Sequence, residues 1–428
     1  MFFLYSALLF VGLVLTSPFW LVQMLRLGKY RAGLSERLGF LPSRIVTDDT
    51  RPVIWVHAVS VGEVLATQGL VAGLRATFPA FRIVVSTTTH TGQKLARERF
   101  GERDVFYFPL DLAVCILPYF RALRPRLVVL AETEFWPNFL RSAKRSGARL
   151  AVVNGRISDR SFPRYQNFRG LLERVLSFVD IFLAQSEEDA RRMQEIGAPR
   201  DRVHVSGNLK FDVRPPEEIA IVSKLRGVLA REQAGPVIVA GSTVEGEEEV
   251  VLDAFRFLVL ERHPHALLVL APRHKERFED VARLLQQRGI KHTRRSQMSG
   301  NTVLTGSVLL LDSLGELASV YGLADVAFVG GSLVPRGGHN ILEPAHWGVA
   351  TLVGPHTENF RDIIGIFRQE DAVRVVAAER FGPTLLSLLA NDAERHALGQ
   401  RAHDVTARQA GATQRTVGEI RALLGGAP

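Results

Sequence analysis

Gly330-Gly331-Ser332-Leu333-Val334-Pro335-Arg336-Gly337-Gly338-His339-Asn340-Ile341-Leu342-Glu343-Pro344 follows an apolar run, Ala324 to Val329, that has the composition of a buried strand. Ile341-Leu342 and Ala345-His346-Trp347 resume at helical spacing, so the stretch reads as a strand-to-helix turn. Its two glycine pairs let backbone approach a ligand closely, and the helix start that follows offers unpaired N–H groups to a phosphate. Glu343, in the first helical turn, is placed to accept hydrogen bonds from sugar hydroxyls instead. A tight turn with a capping acid would use the same glycines. The polar groups Arg336, His339, Asn340 and Glu343, crowded beside a rigid strand, favour a binding loop.

Outward from this turn the same rhythm repeats. Val237–Ala240, Ala266–Leu270, Val308–Leu311 and Ala350–Val353 read as strands, Gly246–Arg262 as a helix, and the chain beyond Phe381 as helical. Upstream, Val53–Val56, Arg82–Ser86, Leu127–Leu130, Leu150–Val153, Ile181–Ala184 and Val203–Val205 alternate with helices such as Val61–Thr77 and Thr91–Phe100. Apolar strands alternating with helices are the signature of parallel α/β sheets. Between the halves, Pro215-Pro216 forbids helix locally and suits a linker. The expected organisation is a membrane-anchor segment over 1–25, a Rossmann-like domain over 26–212, a linker over 213–235 and a second Rossmann-like domain over 236–428. Two such domains would face each other across a cleft lined by the C-terminal ends of their strands, where open α/β sheets bind ligands.

Residues 1–25 carry no charged side chain and are followed by Arg26, Lys29, Arg31 and Arg37. A helix of that length can cross a hydrocarbon core of roughly 30 Å. The basic flank would then keep the rest of the chain on the cytoplasmic side. Pro18 and the polar Thr16, Ser17 and Gln23 support a rival, a helix lying in one leaflet. The 428 residues are 46% hydrophobic and 23% charged, which excludes a disordered chain, and the single cysteine, Cys115, excludes a disulfide framework or a cysteine metal cluster. The formal charge of +9 attracts anions, but the basic-aromatic patches and Cys/His fingers of nucleic-acid binders are missing, so no nucleic-acid partner is expected. Anionic lipid or a phosphorylated substrate accounts for the charge.

Further polar turns follow other strands. Glu63, in His57-Ala58-Val59-Ser60-Val61-Gly62-Glu63, begins a helix and is a fair general base for a sugar hydroxyl; the pattern Ser60 to Glu63 is equally a capping box. Glu132 and Glu134, one residue apart, would point to one side of an extended segment, so that a cation holds one while the other meets substrate. They are equally read as surface acids ahead of a helix. Asn154-Gly155-Arg156 to Ser161 offers guanidinium groups, and Lys210 could reach a phosphate. In the second half Gly241–Glu249 is a second anion-accepting turn, with Pro272-Arg273-His274, Asp312–Glu316 and Gly354–Phe360 completing the rim. The chain has no Walker lysine loop, Gly-x-Gly-x-x-Gly, His-Glu-x-x-His, Gly-x-Ser-x-Gly or Asp-x-Asp. No cofactor and no metal is expected, and cationic side chains with helix ends would have to stabilise a leaving phosphate.

Taken in order, His57 to Glu63, Glu132 to Asn138, Leu209-Lys210-Phe211-Asp212, Pro272-Arg273-His274 and Gly330 to Pro344 resemble the 3-deoxy-D-manno-oct-2-ulosonic acid (Kdo) transferases of lipopolysaccharide biosynthesis. The resemblance implies a two-domain GT-B glycosyltransferase that moves Kdo from CMP-Kdo to the tetraacylated bisphosphorylated disaccharide precursor of lipid A at the cytoplasmic face of the inner membrane. The first domain would bind the acceptor and the second CMP-Kdo. It also implies Glu63 as general base, Glu132 and Lys210 as supports of the transition state, and a CMP site at Pro272, Arg273, Leu314, Gly315, Glu316, Asn340, Ile341, Leu342 and Glu343. Two rivals stay open: another GT-B transferase or nucleotide-sugar epimerase with a UDP donor, and a tethered lipid-binding module without chemistry.

Overall fold

The computed structural model describes residues 2–27, 31–47, 49–213, 219–299 and 302–425. Lys29 of the basic flank and the Pro215-Pro216 pair lie outside these. The chain forms two units, Met1–Val213 with Gln409–Pro428, and Arg214–Arg408.

In the first unit the described strands are β1 (Val53–His57), β2 (Arg82–Thr87), β3 (Val105–Tyr107), β4 (Pro125–Ala131), β5 (Arg149–Gly155), β6 (Ile181–Ala184) and β7 (Val203–Val205). They pair parallel in the order β3-β2-β1-β4-β5-β6-β7. β1 to β6 read as near-continuous apolar runs because helices cover both faces of the sheet. On one face Trp55 gathers Phe106, Phe120 and Phe139 at ring distances of 5.2, 5.3 and 5.0 Å, and its indole N–H donates to Ser86 Oγ at 2.8 Å. The helices that matter for the site are α1 (Phe2–Leu27), α2 (Leu34–Arg37), α3 (Val61–Thr77), α4 (His90–Phe100), α5 (Ala113–Leu123) and α6 (Pro137–Arg145).

The second unit holds β8 (Val237–Thr243), β9 (Leu267–Pro272), β10 (His292–Arg294), β11 (Ser307–Leu310), β12 (Val326–Val329), β13 (Ala350–Val353) and β14 (Arg374–Val375), parallel in the order β10-β11-β9-β8-β12-β13-β14. The chain crosses from one half of the sheet to the other at a switch point between β1 and β4 in the first unit and between β8 and β12 in the second, where β11 also returns between β9 and β10.

Three short edge strands, β3, β10 and β14, were not anticipated; two or three residues carry too little periodicity of their own, and β7, equally short, was read only from its place in the alternating rhythm. The expected linker over 213–235 contains a helix, Ala220–Glu232, that buries Ile221, Val222 and Leu225. The expected second domain to residue 428 is also corrected: Gln409–Pro428 belongs to the first unit. The tail helix Ala412–Leu423 lies against α3, where Gly73 leaves room for Val417; a Cβ there would stand 3.0 Å from Val417 Cγ2. Asp212 accepts from Gly411 N at 2.6 Å and Thr413 N at 2.5 Å, and Arg415 Nε donates to Ser206 O at 2.8 Å. Asp212 therefore caps the returning helix.

Candidate functional site

The C-terminal edge of the first sheet carries the acids. Glu63, in the first turn of α3, lies just past β1, and Glu132 just past β4, so the two flank the switch point. Glu63 is buried; its Oε2 accepts from Val59 N at 2.8 Å and its Oε1 from the Ser60 hydroxyl at 3.0 Å. The capping box is therefore not formed: the Ser60 side chain accepts no cap hydrogen bond, and Glu63 takes the Val59 N–H and the Ser60 hydroxyl rather than the Ser60 N–H. Burial raises the Glu63 carboxyl to about 7, with the Glu132 charge adding to it and the Val59 and Ser60 hydrogen bonds opposing. A carboxyl titrating near neutrality can accept a proton from a sugar hydroxyl.

Glu132 takes a left-handed backbone conformation, φ 57°, with its N–H held by Val153 O at 2.9 Å. Strain of this kind persists where surrounding structure over-determines it. Its Oε1 stands 3.7 Å from Lys210 Nζ. Lys210 is presented by a short turn whose neighbours Leu209 and Phe211 are buried, and the turn is pinned by Asn208 Oδ1 to Lys210 N (3.0 Å) and Asn154 Oδ1 to Leu209 N (2.9 Å). Asn154 and Gln185, at the ends of β5 and β6, thereby set the lysine's position. Glu134 accepts the Trp136 indole N–H at 2.8 Å, and burial raises its carboxyl. His57, part of the same motif, sits at the end of β1 in the core. It stacks on Phe108 at 3.9 Å with Nδ1 3.0 Å from Ser86 Oγ, and burial pushes it down to about 3, so it is a neutral packing residue.

In the second unit, the loop from Gly330 to Asn340 leaves β12 at the other switch point. Here the sequence misleads in one respect. Glu247, fully buried, fills the loop: its Oε2 accepts from Val244 N (3.0 Å) and Gly331 N (2.7 Å), and its Oε1 from Ser332 N and Leu333 N, both 2.8 Å. Of the backbone N–H groups in these two turns, those of Gly331, Ser332, Leu333 and Val244 are thus taken by this internal carboxylate, and that of Gly330 donates to Gly241 O at 2.8 Å, so none of these five is free for a phosphate. Gly330 is needed because a Cβ would fall 2.7 Å from Glu247 Oε2. The acid-rich run Glu247-Glu248-Glu249 was the available signal, but nothing local told which acid turns inward.

What remains open to a ligand is the far half of the loop. Glu343 begins the short helix Leu342–His346; Asn340 Nδ2 lies 3.4 Å from its Oε1, and Asn340 Oδ1 accepts from Leu342 N at 3.2 Å. Burial raises the Glu343 carboxyl, with Asn340 and the Arg273 charge opposing. Arg273, exposed just after β9, also acts on His339, which burial, Arg273 and His274 together lower to about 4. The His339 ring is therefore neutral, and its buried Nε2 has no partner among the described residues. His339 was noted in the loop but not assigned to the nucleotide site. Ile341 and Leu342 are buried, so they can offer a ligand only main chain. Pro272 ends β9 and is buried. Leu314 is exposed, Gly315 turns at φ 84°, and Glu316 is held by Arg295 in a two-pronged pair at 2.7 and 3.0 Å. The Trp347 indole N–H, donating to Ala318 O at 2.7 Å, ties that segment to the Glu343 helix. Among the described residues no cluster of three His, Cys, Asp or Glu could hold a metal ion.

A family description, 3-deoxy-D-manno-octulosonic-acid transferase (kdotransferase), matches residues 32–213. The chain is 33% identical over 426 residues to the 3-deoxy-D-manno-octulosonic acid transferase of Haemophilus influenzae, covering 99% of this chain and 98% of that one. It belongs to the Kdo transferases. The enzyme of the same name from Bordetella pertussis is 35% identical, with 93% of each chain covered. This Kdo transferase, a glycosyltransferase, also shares its fold with a putative UDP-N-acetylglucosamine 2-epimerase from Listeria monocytogenes, at 14% identity, TM-score 0.59, 89% of this chain and 98% of that one covered.

Proposed function

We propose that this Kdo transferase takes Kdo from CMP-Kdo and joins it to the tetraacyldisaccharide 1,4'-bisphosphate precursor of lipid A (lipid IVA), inverting the anomeric carbon without a metal. Glu63 removes the proton from the acceptor hydroxyl as its oxygen attacks, while the bond from the anomeric carbon to the cytidylate phosphate breaks. Glu132 and Lys210 support the charge that develops. Arg273, Asn340 and Glu343, with main chain at Ile341–Leu342 and the Pro272 and Leu314-Gly315-Glu316 segments, hold the donor. CMP leaves carrying a single phosphate, and cationic side chains meet its charge. The observation that carries this reading is Glu63, buried beside the switch point and raised to about 7 next to Glu132. The enzyme works at the cytoplasmic face of the inner membrane; a lipid acceptor and α1, whose Phe2–Met24 stretch is long and apolar enough to cross a bilayer, support the membrane part of this reading.

The test is to incubate the protein with CMP-Kdo and lipid IVA in the presence of chelator and weigh the products. A mass gain of one or more Kdo residues is expected. No transfer with chelator but transfer on adding a divalent ion would overturn the metal-free part, and thermal stabilisation by UDP in place of CMP would overturn the donor.

A further inference from the structure

His90, Gln93, Lys94 and Arg97 share one face of α4 and, with Tyr107 at the end of β3, line a cavity of about 370 Å³. Part of its lining is buried and polar. Gln93 is 1% exposed; its Oε1 accepts from the Thr87 hydroxyl at 2.5 Å, while its Nε2 has no hydrogen-bond partner among the described residues. Tyr107 is buried too, with its hydroxyl 3.1 Å from His90 Nδ1. Arg37 stands 4.7 Å over the Tyr107 ring and donates to Thr88 O. Arg37 Nε and Arg97 Nε are, like Gln93 Nε2, buried without a partner among the described residues.

All three orphaned atoms are donors. Buried donors are costly to leave unmade, so three of them around one cavity suit a ligand that only accepts. The charges agree. Burial raises the Tyr107 hydroxyl, while Arg37, Arg97 and Arg44 pull it down against one acid, Glu36. Glu36 is itself engaged, by Arg44 at 2.6 Å, by the Tyr107 N–H at 2.7 Å and by Arg97 at 3.9 Å. Glu98 and Glu102, the acids that also line the cavity, are exposed to water. A phosphate monoester, with its cluster of acceptor oxygens, meets this set of donors.

The cavity adjoins the turn that carries Glu63. Thr88 N and Thr89 N both donate to Val59 O at 3.1 Å, and a Cβ on Gly92 would stand 3.3 Å from the Ser60 carbonyl carbon. Val59 N in turn holds Glu63 Oε2. Gln93 follows Gly92, so the donors lie within roughly one to two helical turns, about 5–10 Å, of that turn. A phosphorylated sugar can span such a gap.

We infer that the cavity between α4 and β3 seats a phosphate monoester of the acceptor, with Gln93, Lys94 and Arg97 donating to its oxygens, and so fixes which hydroxyl is presented to Glu63. That the phosphate belongs to a lipid acceptor rests on the function proposed above; that the cavity takes phosphate does not.

Exposed Lys94 reports occupancy. In the full chain at constant ionic strength, inorganic phosphate and glucosamine 1-phosphate should each protect Lys94 from an acylating reagent, read by peptide mass, where chloride does not, and Gln93→Leu should abolish the protection. No protection, or equal protection in Gln93→Leu, overturns the site. In transfer assays kcat/KM for lipid IVA should exceed that for one of its two monophosphate forms by about ten-fold or more, and Gln93→Leu and Lys94→Ala should each shrink that preference to about two-fold, through KM. A preference that survives both variants overturns the acceptor assignment and leaves the cavity to free phosphate. Absence of any transfer to lipid IVA by the parent would count against the function proposed above, and the protection of Lys94 would still decide the site.

Discussion

Lys210 Nζ stands 3.7 Å from Glu132 Oε1, and the same Glu132, across the switch point, adds to the rise that burial imposes on the Glu63 carboxyl. The triad is coupled through Glu132. Transfer should therefore rise with pH through about 7 as Glu63 loses its proton. Replacing Glu132 with Gln removes a neighbouring negative charge, so the midpoint of the pH–rate profile should move down even as the maximal rate falls. Glu63→Gln should bind CMP normally and lose transfer by about 10²–10⁴-fold. Profiles of kcat/KM against pH for the three proteins check this.

Glu63 also carries a stability signature. Its folded carboxyl titrates near 7, above the ordinary 4.5, so its contribution is fully present below about 4.5 and is lost as pH rises through 7. Glu63→Gln should melt close to the parent in acid and above it in mild alkali, by on the order of 1–3 kcal/mol. Thermal melts at a series of pH values would show the gap opening.

Glu247 is the keystone of the glycine loop. Glu247→Ala leaves the N–H groups of Val244, Gly331, Ser332 and Leu333 without their acceptor. A loss of roughly 3–5 kcal/mol is expected. Hydrogen exchange read at Gly331–Leu333 should pass from protected to fast, and CMP stabilisation should disappear with it.

Asp212→Ala should release the tail. The lost cap on Ala412–Leu423 costs about 0.5–2 kcal/mol. Exchange or limited proteolysis should report opening of that helix while β8 to β14 keep their protection.

Much of this was legible in the chain. The long apolar strands and the major amphipathic helices register because burial on both faces demands unbroken Val, Ile and Leu runs, and helix periodicity repeats over several turns. β3, β10 and β14 are too short to do so, and β7, no longer, was read from the alternating rhythm around it. Glu63 and Glu132 stood out because each follows a strand directly, where a parallel sheet exposes its loops. His57, the last residue of β1 and the first of the Glu63 motif, is a packing residue, which only its contacts with Phe108 and Ser86 reveal. His339 was passed over because its orphaned Nε2 is a property of its surroundings.

By itself the sequence determined the two parallel α/β sheets, the family and the polar turns that follow the strands, since these rest on local pattern; the strand order that puts two of those turns at each switch point came from the structure. Only the tertiary structure decided which acid is spent on the fold. Glu63 and Glu247 are both acids in the first turn of a helix just past a parallel strand; one is left with a raised carboxyl beside other charges, the other is spent on four backbone N–H groups. The same holds for the last helix, which returns to the first unit because Asp212 and the glycine face of α3 await it there. Burial and the direction of hydrogen bonds are set by residues far apart in the chain, and no local stretch records them.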